Sequence, residues 1–229
     1  MIIERKSKVN LPDLTEQDGH LFQSSREDAR TSLIKLAQTM QIYNGAMKVV
    51  SAKLELLDDE FQFSNKHNPI HHLEYRIKSP LSIGKKLQKY GLPLTVEAAR
   101  ERVLDIAGIR VICNFLDDVY AVEKMLLQQA DVTLVKRKDY IEQAKANGYR
   151  SLHLVVKVPI FLSGSTEEIP VEIQLRTVAM DYWASLEHML RYKNKDSDTQ
   201  QYAAMLLDCA ATLADTEKKM LFIRQHIEE

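Results

Sequence analysis

The chain has 229 residues, 45% hydrophobic and 28% charged, enough apolar material for one ordinary core with or without a helical extension. Its formal net charge of -1 excludes a global field that would recruit nucleic acid or an anionic membrane, so any basic site has to be local. No 18-residue apolar run and no apolar amino-terminal core occur, so the expectation is a cytoplasmic protein with no membrane contact.

Residues 1–24 are polar and aperiodic and read as a flexible arm. Over 25–63, Leu33, Leu36, Met40, Tyr43, Met47, Val50, Leu54, Leu57 and Phe61 recur at three- and four-residue steps. That period predicts one long helix or two stacked ones. His67-Asn68-Pro69-Ile70 is expected to end it and open another helix, with the proline in its first turn. This segment carries Arg76 and Lys78, then continues over 80–90 with Lys85, Lys86 and Lys89. Thr95 caps a short helix reaching Val103. An apolar strand over 109–115, a helix over 117–129 and a strand around 132–135 follow, the last running into Lys136-Arg137-Lys138-Asp139. Cys113 and Cys209 both lie in apolar segments without metal-ligand spacing and read as buried thiols of a reducing compartment.

Asn147-Gly148 is a turn pair that tolerates positive φ. Tyr149 and Arg150 follow it, and the β-branched run 152–158 containing His153 reads as a mostly buried strand. Two readings of this entry stand at this point: an ordinary hairpin with a half-buried tyrosine, or an aromatic ring placed to stack on a flat ligand. After Ser163-Gly164-Ser165 the chain returns over 169–177 with Glu172, Gln174 and Arg176 on one face and Val171, Ile173 and Leu175 on the other. Three polar side chains on one sheet face beside His153 suit a ligand floor better than a core. Helices over 180–191 and 199–226 complete the chain. The order of elements implies an α+β sandwich with a mixed sheet of four or five strands.

A run of lysines on a helix is most often a solvated face. Asp105, at a loop–strand junction, suits a Mg²⁺ ligand and, equally, a local cap on Gly108 or Arg110. With Glu172 as a second carboxylate, the Lys and Arg residues make up the inventory that binding and transfer of a polyphosphate requires.

HNPI followed by RIKS, then DIAGIRVIC, KRKDYI with NGYRSLHL, VEIQLRT and AMDYWASLEH, resemble in order and spacing the synthetase domain of RelA/SpoT-type alarmone synthetases. They are most similar to the small alarmone synthetases, which consist of that domain. The resemblance spans 67–193. It implies a synthetase domain over 25–195, with 196–229 as a carboxy-terminal oligomerisation helix and no hydrolase motif before it. It also implies a nucleotidyltransferase-like fold and a monofunctional GTP/GDP pyrophosphokinase that moves the β,γ-pyrophosphate of ATP to the 3′-hydroxyl of GDP or GTP, releasing AMP.

Carried over by motif, the resemblance implies that Arg76 and Arg110 sandwich adenine and that Lys78 and Lys86 grip the ATP phosphates. Asp105 and Glu172 would share the Mg²⁺, with Glu172 also activating the acceptor hydroxyl. Tyr149 would stack on guanine, His153 and Gln174 would line the acceptor, and Lys138 and Lys145 would meet its 5′-phosphates. Gln88 stands where some small synthetases carry a base. Family members suggest a homotetramer, and no specific nucleic acid partner is expected. In some of them a central cleft binds the product through basic residues on the helix before the HNPI-like turn. Here that stretch, 51–61, reads SAKLELLDDEF and is acidic. Two other readings of the residues stand beside this one: transfer of AMP instead of pyrophosphate, and a non-catalytic nucleotide- or RNA-binding module.

Overall fold

The computed structural model describes residues 12–23, 28–63, 67–193 and 199–227. Helix α1 (Glu16–Leu21) starts at Thr15, whose backbone N–H donates to Asp18 Oδ2 at 2.8 Å. Phe22, just after it, is 1% exposed, so the described part of the expected flexible arm is folded against the body. Helix α2 (Ala29–Phe63) is continuous, one helix and not two. Leu36, Met40, Tyr43, Met47, Val50 and Leu54 are buried along it at the steps read from the sequence.

The segment after His67 is not a helix. Ile70–Ile77 forms β1, paired antiparallel to β2 (Ala107–Cys113). The misreading has a physical cause. Ile70, Leu73 and Ile77 are buried at helix-like spacing, but a register shift between Ile70 and His72 inserts one residue into the strand. A bulge of this kind returns Ile70 to the apolar side and imitates a period near 3.6. Arg76 therefore lies on a strand, and only Lys85, Lys86 and Lys89 belong to α3 (Pro80–Lys89). That helix is capped by Ser79, whose Oγ accepts from Ser82 N, with proline at its start. Helix α4 (Val96–Arg102) is capped by Thr95 as expected.

Helix α5 (Leu116–Leu127), β3 (Thr133–Asp139), β4 (Leu152–Phe161), β5 (Thr166–Thr177), α6 (Val178–Lys193) and α7 (Thr199–Ile227) complete the described elements. The sheet has five strands in the order β1-β2-β5-β4-β3, with β2 and β5 parallel and the remaining pairs antiparallel. Ile109, Val111, Leu154, Val156, Ile173 and Leu175 from the central strands join one buried cluster with α2 and with Val119, Val122 and Leu126 of α5. The opposite face of the same strands carries Arg110, His153, Glu172, Gln174 and Arg176 beside the buried Ile112 and Val155, so the polar groups gather on that second face. Cys113 is buried, whereas Cys209 is exposed on α7 together with Met205 and Leu207, because the packed face of that helix is taken by Leu206, Ala210 and Leu213. Among the described residues no helix is long and apolar enough to cross a membrane.

Candidate active site

Register brings the polar residues into rows. Arg76 on β1 lies opposite Gly108 on β2, and Gly108 opposite Glu172 on β5. One step along, Glu74, Arg110, Gln174 and His153 line up across four strands. Lys138, on the edge strand β3, is paired with His153, which puts both side chains on one face. These rows floor a cavity of about 360 Å³ lined by Glu74, Tyr75, Arg76, Lys78, Asp105, Gly108, Ile109, Arg110, Glu172 and Gln174. A larger cavity of about 1020 Å³, walled by α2, α4 and the far end of the β4–β5 hairpin, contains none of the candidate site residues.

At one end of the smaller cavity, Asp105 Oδ2 accepts from Lys78 Nζ at 2.9 Å and lies 2.7 Å from Lys86 Nζ. Asp105 does not cap Gly108 or Arg110. Burial pushes its carboxyl up, but the two ammonium groups outweigh that and hold it below its ordinary range. Its other oxygen, Oδ1, is buried without a hydrogen-bond partner. Such an orphan acceptor in a cationic pocket is a group that a bound ligand or ion completes.

At the other end is an aromatic cluster. Tyr149 Oη and His153 Nε2 are 2.8 Å apart, and Arg176 Nη2 donates to the same Oη at 2.7 Å. Lys145 Nζ sits over the Tyr149 ring, 4.3 Å from its centroid, and over the Tyr140 ring at 4.4 Å. The Lys145 ammonium thus makes a cation–π contact with both rings. The loop carrying Tyr149 is shaped by Asn147, whose Oδ1 accepts from Tyr149 N, and by Gly148 at φ +89.

Glu172 joins the two ends. Its Oε2 accepts from Gln174 Nε2 at 2.9 Å, and its Oε1 lies 3.8 Å from His153 Nδ1. Burial raises this carboxyl, and the His153 and Gln174 contacts lower it further than burial raises it. At neutral pH it is charged and able to accept a proton.

The structure thus gathers Arg76, Lys78, Asp105, Arg110, Glu172 and Gln174 around one cavity, with Lys86 joined to it through Asp105, and Tyr149, His153 and Lys145 in the adjoining aromatic cluster. Lys138 shares the sheet face but is exposed, and no contact ties it to the cluster. Gln88 is also exposed, on α3 away from Asp105. Sequence reasoning missed Asp181 and left Arg176 without a role. Asp181 Oδ1 accepts from Arg176 Nη1 at 3.1 Å and lies 3.4 Å from Arg110 Nη1, so it ties the two arginines of the site together. The alternation of β5 already put Arg176 on the polar face; Asp181, on a helix, had no such signal.

Over residues 75–197 the sequence matches the family described as a region found in RelA/SpoT proteins. The chain belongs to the RelA/SpoT family. Within it, the chain is 38% identical over 202 residues to GTP pyrophosphokinase YwaC of Bacillus subtilis (strain 168), a match covering 88% of this chain and 96% of that one. Solved RelA/SpoT-family relatives share the fold. Small alarmone synthetase 2 from Bacillus subtilis aligns with a TM-score of 0.74 at 40% identity, over 81% of this chain and 97% of the other. Small alarmone synthetase 1 from the same bacterium, bound to its product pppGpp, aligns with a TM-score of 0.75 at 34% identity, over 82% and 95%. The nucleotidyltransferase-like α+β architecture expected of the family is the one observed, with five strands.

Proposed function

We propose that this chain is an alarmone synthetase that transfers the β,γ-pyrophosphate of ATP to the 3′-hydroxyl of GDP or GTP, releasing AMP. The observation that carries the reading is Glu172, a charged carboxylate placed between a cationic cavity and an aromatic platform. A phosphate donor and a purine acceptor bound at those two places meet at this one base.

In the donor half, Arg76 and Arg110 flank the adenine, while Lys78 and Lys86 hold phosphate oxygens. The two ammonium groups are paired with Asp105 before substrate arrives, so the triphosphate competes with that carboxylate for them. In the acceptor half, guanine displaces the Lys145 ammonium from the Tyr149 ring, and the displaced lysine joins Lys138 at the 5′-phosphates. His153 and Gln174 line the ribose and keep Glu172 oriented. Glu172 takes the proton from the 3′-hydroxyl. The oxygen then attacks the β-phosphorus, and the bond to the α,β-bridging oxygen breaks. Arg176 and Asp181 hold the platform and Arg110 in fixed relation through these steps.

The donor set fits a magnesium ion. Asp105 Oδ1 is an orphaned buried oxygen, Glu172 is a second carboxylate on the same cavity, and Mg²⁺ takes one or two carboxylates with phosphate and water for the rest. When bound by Asp105 and Glu172, Mg²⁺ neutralises charge on the transferred phosphates. A cytoplasmic homotetramer without a nucleic acid partner completes the proposal.

The test uses γ-labelled ATP with GDP and, separately, GTP. Label in the guanine product together with stoichiometric AMP supports pyrophosphate transfer. Release of free pyrophosphate with an adenylylated product would replace it by AMP transfer, and no turnover of either kind would leave a binding module.

A further inference from the structure

The last helix, α7, reaches into the acceptor side of the site. Along α7, Leu206, Ala210, Leu213 and Glu217 recur at steps of four, three and four, which places them on one face. Leu206, Ala210 and Leu213 pack with Trp183 and Tyr149 in a small cluster separate from the main core. Trp183 Nε1 donates to Leu206 O at 2.8 Å and fixes the two helices against each other.

This face meets the 147–150 loop on both sides of Tyr149. Before it, Gly148 at φ +89 lies so close to α7 that a Cβ on it would stand 2.7 Å from Ala210 Cβ. After it, Arg150 Nη1 donates to Glu217 Oε2 at 2.6 Å, with side chains only 14% and 9% exposed. The other oxygen of Glu217 accepts from Thr177 Oγ1, and Thr177 Oγ1 in turn accepts from Met180 N at the start of α6. One buried carboxylate therefore ties the loop before β4 to the junction after β5. Through Arg150, Glu217 thus anchors the loop that carries Tyr149.

We propose that Glu217 is a positioning residue for the acceptor nucleotide: through Arg150 and Thr177 it sets the plane in which Tyr149 meets the purine. This rests on the assignment of Tyr149 as the guanine platform. Truncating one partner of a buried charge pair leaves the other unpaired, and the loop gives up its anchor. A stacked group misplaced by an ångström near a reacting centre costs up to about 10²-fold.

The experiment compares wild type, Glu217→Gln, Tyr149→Ala and the double variant by steady-state kinetics. Calorimetry with a non-hydrolysable ATP analogue is run on the same preparations. Glu217→Gln is expected to raise the KM for GDP by about ten-fold, within the range that misplacement allows. The KM for ATP and analogue affinity should move by less than about two-fold, well inside one such decade. On the Tyr149→Ala background the Glu217 substitution should add little, since its effect passes through the ring. A parallel loss for both nucleotides would make Glu217 a general fold residue and overturn the proposal, as would full additivity with Tyr149→Ala. An unchanged GDP KM in Glu217→Gln beside a large effect of Tyr149→Ala would also overturn it while leaving the acceptor site standing. No effect of Tyr149→Ala would instead remove the acceptor assignment itself.

Discussion

At Glu172 partial burial pushes the carboxyl up, and the His153 and Gln174 contacts outweigh it and hold the group below its ordinary range. Replacing it with Gln keeps the shape and one acceptor but removes the base. Glu172→Gln is expected to lower kcat by roughly 10²–10⁴-fold, the usual contribution of a general base. Affinity for an ATP analogue, measured by calorimetry, should stay close to that of wild type, and near-normal turnover would make the residue structural. Asp105 allows a prediction on pH. Its ordinary value is 3.8 and its value in the fold is lower, because Lys86 and Lys78 outweigh burial. A depressed carboxylate contributes stability that is complete above the unfolded value and is lost as pH falls through the folded one. The melting temperature gap between wild type and Asp105→Asn, without added metal, is therefore expected to stay constant from about pH 8 to 5 and to shrink below about pH 4. A gap that widens on acidification would mean that the carboxyl is not held by the lysines.

Among the elements, β2 shows how a strand makes room. Gly108 stands between Arg76 and Glu172 in the same row, and its missing side chain leaves the cavity floor open. A Cβ there would meet Arg76 O at 3.7 Å and Glu172 O at 4.0 Å, ordinary contacts, so the backbone accepts a Cβ. Valine also suits a strand. Gly108→Val is expected to keep or raise the melting temperature while weakening ATP-analogue binding by about ten-fold or more, which is 1.4 kcal/mol or more. Retained ATP affinity would place the donor elsewhere. The same strand region shows where periodicity misleads. β4 was legible from its β-branched apolar run and β5 from apolar residues alternating with polar ones, whereas β1 imitated a helix through its bulge.

For the whole molecule, the carboxy-terminal half of α2 carries an acidic surface. Lys53 Nζ is taken by Asp131 at 2.7 Å, Glu55 accepts from Tyr75 Oη at 2.6 Å, and Asp59 and Glu60 are exposed. A pentaphosphate brought there meets carboxylates, and a symmetric assembly repeats the same surface in each subunit. An effector that does not bind shifts no equilibrium. Added alarmone is accordingly expected not to accelerate a progress curve at low GDP; a several-fold rise, lost when this stretch of α2 is mutated, would contradict it. The sequence by itself determined the helix periods, the polar face of β5, the turn at Asn147-Gly148 and the residue types of a phosphate site, because each is encoded over a few neighbouring positions. Strand order, the β1–β2 pairing and the Asp181 bridge between Arg110 and Arg176 were decided only by the tertiary structure. So was the grip of α7 on the 147–150 loop, where Arg150 and Glu217 are 67 residues apart. Contacts over such separations leave no local period, and only the packed chain brings the partners within hydrogen-bond distance.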